Sequence, residues 1–299
     1  MDPRIGIIGG SGLAQSLLAE AQGQTVSVDT PFGKPAADII LMDWKGVPVA
    51  FLARHGIGHV YNPSQVPYRA NIYALKSVGC QWILASGAVG SLNEAIRPRD
   101  LIIVDQVIDK TTRRASTFFD EAAVHVEFAE PFCPRLRQIV MESAADLRGR
   151  GEGDATVHGK GTYVCMEGPA FSTRAESLLH RSWGADLIGM TAMPEAKLAR
   201  EAEISFALIA LATDYDCWKP HIASPGQTPQ ALLSEIIGHL HAATDNALRL
   251  LRAAVTRVWA ARTETFPSHR ALELAIWSDK KRIDPAARQR LELLWGKYF

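Results

Sequence analysis

The sequence has little cysteine, and its few cysteines lie far apart. Only four occur among 299 residues, at Cys80, Cys133, Cys165 and Cys217. No CxxC pair or histidine-rich tract accompanies them, so neither a zinc site nor a disulfide framework is indicated. We expect reduced, partly buried thiols and no bound metal.

The sequence also lacks a net charge and a long apolar run. Lysine plus arginine equals aspartate plus glutamate at 32 each, so no overall field favours nucleic acid or an anionic membrane as a partner. No apolar run approaches the ~20 residues that span a bilayer. The N-terminus enters a strand-like segment at Ile5 and has none of the regions of a signal peptide. These absences predict a cytoplasmic protein without nucleic-acid or membrane partners.

Short apolar, β-branched runs alternate with helical patterns along the chain. Such runs are typical of strands buried on both faces of a sheet. They occur at Ile5–Ile8, Val49–Ala53, Trp82–Ala85, Leu101–Val104, Tyr163–Met166 and Ile204–Ala212. The alternation predicts an α/β sandwich around a mainly parallel or mixed sheet.

Several helix boundaries have recognisable signals. Pro67–Val78 has helical spacing and stops at Gly79, while Thr173 and Glu176 have capping-box spacing. Pro194 suits the first turn of a further helix, and a long amphipathic helix follows Thr228-Pro229.

The C-terminal residues form a separate helical pattern. We expect residues 1–262 to be one domain and residues 263–299 to be a helical extension, with Asp284-Pro285 starting its second helix. Trp277, Trp295 and Phe299 are large apolar groups for a free tail. The extension is therefore expected to pack on its own or a neighbouring subunit.

Two segments after predicted strands suit an anion. The glycine-rich segment Gly6–Gly12 allows a sharp turn whose N–H groups, with the Ser11 hydroxyl, point at a ligand. Its spacing matches neither GxGxxG nor the P-loop, and a plain tight turn explains it equally well. Arg54 and His55 follow another strand, where arginine offers bidentate donors to phosphate. An ordinary surface ion pair is the alternative.

A third predicted strand runs into a small-residue turn. Gly87 and Ala88 there permit a ligand to approach the backbone closely and supply N–H groups. A tightly packed strand end is the structural alternative.

Two carboxylates leave the last apolar strand together. Asp214 and Asp216 are two residues apart, so strand periodicity points both the same way. Like charges in a partly dry pocket raise at least one pKa, which prepares a general acid near neutral pH. Solvated loop carboxylates or a metal site are alternatives, although no histidine or third carboxylate lies nearby.

Taken together, the segments resemble the trimeric nucleoside phosphorylase family, and within it the 5′-methylthioadenosine phosphorylases. The resemblance covers Ile5 to about Trp218. Its blocks are Ile7–Leu13, Val28–Pro35, Leu52–Gly56, Ala129–Cys133, Glu167–Pro169, Phe171–Ser177, Gly189–Thr191 and Asp214–Trp218. It implies a three-layer αβα sandwich of the nucleoside phosphorylase type with a mixed central sheet, assembled as a homotrimer.

The resemblance also implies roles for individual residues. The phosphate site would comprise Ser11, Arg54, His55, Gly87, Ala88 and Thr191. The nucleoside site would comprise Phe171, Ser172, Met190, Asp214, Tyr215, Asp216 and a neighbour's His125. Met190 would lie against the ribose, and Asp214 would be the general acid. A 5′-methylthio group needs an apolar pocket, for which Leu232 and Leu233 at the start of the long helix are candidates. Phosphate is a co-substrate and no cofactor is implied.

The resemblance favours one reaction, the phosphorolysis of S-methyl-5′-thioadenosine to adenine and 5-methylthioribose 1-phosphate. Family members acting on 6-oxopurines carry an asparagine near Asp214 and Asp216, so the aspartates favour a 6-aminopurine. Two residues depart from the family pattern: Gly87, where many relatives have threonine, and Ala170, where arginine is usual. The alternatives are phosphorolysis of methylthioinosine or inosine, a hydrolase, and a catalytically silent nucleoside-binding protein.

Overall fold

The computed structural model describes residues 2–10, 12–20, 23–152, 155–219 and 229–299, and these residues form one mixed sheet of eleven strands with eight α-helices. The strands are β1 (Arg4–Gly9), β2 (Gly23–Val26), β3 (Ile39–Trp44), β4 (Val47–Ala53), β5 (Cys80–Ser91), β6 (Leu101–Ile103), β7 (Gln106–Asp109), β8 (Val157–His158), β9 (Thr162–Cys165), β10 (Leu187–Gly189) and β11 (Ser205–Asp214). The helices are α1 (Leu13–Glu20), α2 (Tyr68–Ser77), α3 (Pro134–Gly149), α4 (Arg174–Ser182), α5 (Ala192–Glu201), α6 (Pro229–Ala260), α7 (Pro285–Arg290) and α8 (Glu292–Trp295). All six predicted strands are present.

Strand β5 is the centre of the sheet. It pairs in parallel with β1 and β11 and antiparallel with β10, which confirms a mixed sheet. On the side of β5 away from β11, the two neighbouring strands leave a gap. Strand β1 pairs with β5 as far as Ala85, and the pairing of β10 with β5 begins only at Gly90. Residues 86–89 therefore lie in a gap between neighbouring strands, where α/β sheets bind ligands.

The turn predicted at Gly87 and Ala88 is wrong. Both residues lie inside β5, where Gly87 pairs with Ala210 and Ala88 with Leu211 of β11. The long run of pairing with β11 keeps these small residues extended even though glycine has little intrinsic strand preference. The strand continues to Ser91.

Alternating side chains of the sheet face two helical layers. Along β11, Ile209 and Leu211 pack into the core formed with α1, α3 and α6. Leu208 and Ala210 pack into the opposite core, formed with α2 and α5. Since a strand buried on both faces needs a covering layer on each, the chain forms the expected αβα sandwich.

The predicted helix signals are present where the structure describes them. Helix α2 ends before Gly79, which has φ +93°. The Thr173 side chain accepts from the Glu176 N–H while Glu176 accepts from the Thr173 N–H, so the capping box is confirmed. Thr228, the predicted cap of α6, lies outside the described residues.

The C-terminal segment from residue 263 onward packs against the body of the same chain. Trp295 is 1% exposed and its ring lies 4.7 Å from that of Phe119. The buried Glu203 carboxylate accepts from the Leu272 N–H and the Tyr298 hydroxyl. Asp284 caps α7 by accepting from the Ala286 N–H, as its position before Pro285 predicts.

The cysteines are free thiols. Cys80, Cys133 and Cys165 are buried and Cys217 is partly exposed, so the expected reduced thiols are what the structure shows. Among the helices in the described ranges, none combines the length and apolarity needed to cross a membrane.

Candidate active site

A cavity of about 420 Å³ opens beside residues 87–90 of β5. This volume lies within the range of small-molecule sites, which favour such divergence points in α/β sheets. Many of the lining residues come from the carboxyl ends of strands: Arg54 and His55 follow β4, Met190 and Thr191 follow β10, and Asp214 ends β11. The fold thus brings together groups that are far apart in the sequence.

Most of the predicted site residues line this cavity. They are Arg54, His55, Gly87, Ala88, Phe171, Ser172, Met190, Thr191, Asp214 and Asp216. Ser11 lies outside the described residues, as does the side chain of Leu232. Tyr215 and His125 are not among the lining residues. Within the part of the chain described, no cluster of three or more potential ligand side chains could hold a metal ion.

Arg54 is fully buried, and its donors are largely committed. Its Nε and Nη2 each donate to the Glu195 carboxylate at 2.8 Å, and Nη1 donates to the Ser86 carbonyl at 2.7 Å. The edge of the guanidinium formed by Nε and Nη2, which was expected to bind phosphate, therefore faces Glu195 instead. Burial lowers the pKa of Arg54, but the charge and hydrogen bonds of Glu195 outweigh it and raise the pKa above its usual value. The guanidinium stays charged.

The face of Arg54 toward the cavity is open because the neighbouring residues are small. A β-carbon at Gly10 would lie 2.9 Å from Nη1 of Arg54 and 3.0 Å from the Ser86 carbonyl oxygen. A β-carbon at Gly87 would lie 3.4 Å from the Thr191 hydroxyl and 4.0 Å from Nη1. Nη1 of Arg54 and the hydroxyl of Thr191 are therefore two donors within reach of one small anion.

His55 continues this end of the cavity. Its Nδ1 lies 2.8 Å from the Tyr61 carbonyl oxygen, and its ring stacks on that of His59 at 4.2 Å. Burial and the charge of Arg54 lower the pKa of His55 to about 4. The imidazole is neutral at neutral pH.

The opposite end of the cavity contains the two aspartates. Asp214 accepts hydrogen bonds on both oxygens, from the Thr213 hydroxyl and from the Asp216 N–H, each at 2.7 Å. Asp216 accepts from the Ser177 hydroxyl. Burial raises the pKa of Asp216, and the charge of Asp214 adds to this while the Ser177 hydrogen bond opposes it. The pKa of one of the two carboxyl groups, that of Asp216, is therefore raised, and burial contributes more to this increase than the charge of Asp214 does.

The loop after β9 is anchored by Arg114 and Glu167. Arg114 donates to the Glu167 carboxylate and to the main-chain carbonyls of Glu167, Met190 and Met193. Burial would raise the pKa of Glu167, but hydrogen bonds, beginning with the Thr112 N–H, hold it at about 2. These contacts fix the loop without a side chain from the exposed Ala170, the position where arginine is usual.

An apolar wall of α6 closes one side of the cavity. Ile236, Ile237 and Leu240 line it. They belong to the amphipathic helix predicted after Thr228-Pro229, while the side chains of Leu232 and Leu233, which were expected in the pocket, lie outside the described residues. The turn of helix that meets the cavity depends on how α6 packs across the sheet, which helical periodicity alone does not specify.

Tyr215 and His125 have other surroundings. Tyr215 packs against the ring of Trp218 and lies 4.2 Å from the Lys219 ammonium. His125 lies in a segment bound to the C-terminal region. Its main-chain N–H donates to the Ala275 carbonyl, and the centroid of its ring lies 4.7 Å from that of Trp277.

Glu195 is the main functional residue that sequence reasoning missed. It is fully buried in α5, 141 residues after Arg54 in the chain. The one available signal was a lone carboxylate in the segment Ala192–Ala199, in which every other residue except Lys197 is apolar. Such a carboxylate needs a cationic partner when it is buried, but the sequence does not say which.

Comparisons with known proteins show the family of the chain. A family model described as the phosphorylase superfamily matches residues 4–256. The chain is similar to the S-methyl-5′-thioadenosine phosphorylase of Thermosynechococcus vestitus, at 47% identity over all of both chains. It is also similar to a solved methylthioadenosine phosphorylase from an antarctic soil metagenomic library, with TM-score 0.86, 44% identity and 98% coverage of both chains. The Schistosoma mansoni methylthioadenosine phosphorylase in complex with tubercidin gives TM-score 0.82 and 34% identity, over 92% of this chain and 99% of that one.

Proposed function

This chain belongs to the phosphorylase superfamily, and from that premise we propose that it splits S-methyl-5′-thioadenosine with inorganic phosphate. The products are adenine and 5-methylthioribose 1-phosphate, so the enzyme is a pentosyltransferase of purine and methionine salvage. Phosphate is the co-substrate, and we propose no further cofactor.

One observation carries the proposal: a single cavity has cationic and hydroxyl donors at one end and two carboxyl groups at the other. Cleavage of an N-glycosidic bond builds positive charge on the sugar and negative charge on the purine, and catalysis requires that both be stabilised. Phosphate bound by Arg54 and Thr191, with Ser11, Gly87 and Ala88, offsets the charge on the sugar and then attacks the anomeric carbon. Met190 lines the same cavity and is proposed to contact the ribose.

Asp214 is the proposed acid for purine nitrogen 7. Its surroundings accommodate the protonated form, because the Thr213 hydroxyl has a second acceptor in the Val89 carbonyl at 3.2 Å. When that hydroxyl turns to Val89, Oδ2 of Asp214 is released to carry a proton. A side-chain acid of this kind typically contributes ~10²–10⁴-fold to the rate.

Asp216 is the proposed determinant of a 6-aminopurine. As a carboxylate it only accepts hydrogen bonds, so it complements an exocyclic amino group and opposes a 6-oxo group. Ser177 holds one of its oxygens. Phe171 and Ser172, on the loop before α4, are proposed to hold the purine ring, with Tyr215 behind the aspartates.

The 5′-methylthio group is proposed to lie against the apolar wall of α6. Leu232 and Leu233 precede this wall in the same helix, and Ile236, Ile237 and Leu240 form it. Phe171 is 86% exposed at the cavity, and exposed apolar surface of this kind marks an interaction site. A homotrimer in which a neighbour's His125 closes the 5′ pocket would cover this exposed Phe171 ring.

The proposed setting is the cytoplasm, as a homotrimer without nucleic-acid or membrane partners. Within each chain we propose residues 1–262 as the nucleoside phosphorylase domain and residues 263–299 as an extension. The mass in solution, measured by light scattering, should be three times that of one subunit. A monomer that is fully active at nanomolar concentration would contradict the shared pocket.

The reaction is tested by ³¹P NMR of the enzyme with S-methyl-5′-thioadenosine and phosphate. We expect the inorganic phosphate signal to be replaced by that of a sugar 1-phosphate, in step with adenine release. Release of free methylthioribose with phosphate unchanged would identify a hydrolase. Asp214→Asn is the matched control for a contaminating activity, because it should abolish nearly all turnover.

A further inference from the structure

The two ring nitrogens of His55 have different, fixed roles. Nδ1 lies 2.8 Å from the main-chain carbonyl oxygen of Tyr61. A carbonyl oxygen only accepts hydrogen bonds, so the ring proton is on Nδ1 and Nε2 carries a lone pair. His55 is 6% exposed and lines the cavity next to Arg54, so Nε2 is the nitrogen left for a ligand.

The surroundings of His55 keep the ring in this neutral form. The groups that act on it are the buried guanidinium of Arg54, the stacked ring of His59 and the guanidinium of Arg114, and each lowers its pKa. Only the Tyr61 carbonyl raises it, and burial has the largest effect, so the pKa falls to about 4. At neutral pH Nε2 of His55 therefore only accepts hydrogen bonds, whereas Arg54 only donates them and the Thr191 hydroxyl can turn to donate or to accept.

We propose that Nε2 of His55 makes the anion site select tetrahedral oxyanions that carry a hydroxyl group. Hydrogen phosphate and hydrogen arsenate each have a hydroxyl that donates to Nε2, while their remaining oxygens accept from Arg54 and Thr191. Sulfate has only acceptor oxygens at neutral pH and would place one against the lone pair of Nε2. His55 is thus a specificity-determining residue that separates phosphate from sulfate.

This inference rests on the proposed function, because it takes the Arg54 end of the cavity as the phosphate site. Charge and size do not explain the same selectivity. Hydrogen phosphate and sulfate are both tetrahedral dianions, so a site made only of cations and hydroxyl donors would bind them nearly equally. A site that requires a hydroxyl rejects an anion that lacks one, because its own polar group is left unpaired.

The test is calorimetric binding of inorganic phosphate, arsenate and sulfate at one ionic strength near neutral pH. For the wild type we expect phosphate and arsenate to agree within a few-fold and sulfate to bind at least ~10-fold more weakly. His55→Gln presents an amide that can turn either its oxygen or its NH₂ to the anion. The ratio of the sulfate dissociation constant to the phosphate dissociation constant should therefore fall below about threefold. His241→Gln, on an exposed position of α6, is the matched control and should keep the wild-type ratio. Sulfate that binds the wild type as tightly as phosphate, or a ratio that His55→Gln leaves unchanged, would overturn the inference.

A spectroscopic measurement decides the matter even if His55→Gln does not fold. Imidazole ¹⁵N shifts of the wild-type protein should show His55 protonated on Nδ1 and unprotonated on Nε2, and a proton on Nε2 would contradict the inference. Failure of the proposed reaction is separable. If the protein prefers phosphate to sulfate but releases no adenine in the presence of phosphate, the role of His55 is supported and the proposed reaction is refuted. If it releases adenine but binds sulfate as tightly as phosphate, only the role of His55 is refuted.

Discussion

Glu195 binds both Nε and Nη2 of Arg54 through 2.8 Å hydrogen bonds at a point where neither side chain is exposed to solvent. The pair fixes the guanidinium with Nη1 beside Gly87, at the proposed phosphate end of the cavity. Glu195→Gln removes the charge that compensates Arg54 in the core. Breaking a buried ion pair in this way should lower the free energy of unfolding by about 3–5 kcal/mol, measured by urea denaturation.

A surface ion pair is the control for this variant. Glu121→Gln removes the partner of Arg290 in a pair whose two side chains are both exposed, and it should cost less than ~1 kcal/mol. The double variant Arg54→Met with Glu195→Leu should recover much of the stability but lose phosphate affinity, because an apolar pair fills the core without a donor. Equal effects of Glu195→Gln and Glu121→Gln would show that the buried pair does not have the role assigned to it.

Asp214→Asn should reduce kcat by ~10²–10⁴-fold, because asparagine cannot transfer a proton to the departing purine. The amide retains an oxygen that can accept the Asp216 N–H hydrogen bond, so the fold should be kept. Steady-state kinetics at saturating phosphate measures the loss, and near-normal turnover would show that another group is the acid. A thermal melt similar to that of the wild type verifies folding.

Gly87→Thr should increase phosphate affinity with a much smaller change in kcat. A β-carbon at this position makes only ordinary contacts, 3.4 Å from the Thr191 hydroxyl and 4.0 Å from Nη1 of Arg54. The added hydroxyl supplies another donor at the anion end. We expect the KM for phosphate to fall by a few-fold, and Gly87→Ala separates the effect of the hydroxyl from that of the β-carbon. A KM that rises in Gly87→Thr but not in Gly87→Ala would contradict the assignment of Gly87 to the phosphate site.

Glu201 predicts part of the pH dependence of stability. Burial raises its pKa to about 7, despite hydrogen bonds from the Phe118 N–H and the Thr117 hydroxyl. Between the unfolded pKa, near 4.5, and about 7, the folded protein binds more protons than the unfolded chain, so this group's stabilisation is lost as pH rises. Relative to Glu201→Gln, the wild type should therefore become less stable from about pH 5 to about pH 8. A difference in unfolding free energy that stays constant with pH would refute the raised pKa.

The features that were predictable from the sequence are those that local patterns determine. Buried strands such as β4 and β11 are continuous apolar runs, and the capping box at Thr173 and Glu176 is a local hydrogen-bond exchange. The carboxyl ends of such strands converge in an α/β sheet, so Arg54 and Asp214 could be assigned to one site.

The features that were not predictable depend on contacts between distant segments. Gly87 is extended because β11 pairs beside it, and glycine alone favours a turn. The fork of Arg54 faces Glu195 because α5 packs against α2 and β11, and no local pattern in either segment identifies the other. The position of Ile236 and Ile237 at the cavity likewise depends on where α6 crosses the sheet.

The most direct test of the central claim is base release from S-methyl-5′-thioadenosine, adenosine, methylthioinosine and inosine, each with and without phosphate. The account predicts release that requires phosphate and is fastest as adenine from S-methyl-5′-thioadenosine, because Asp216 accepts from the 6-amino group and the α6 wall holds the methylthio group. Faster release from the two inosine forms, or release that does not depend on phosphate, would contradict it.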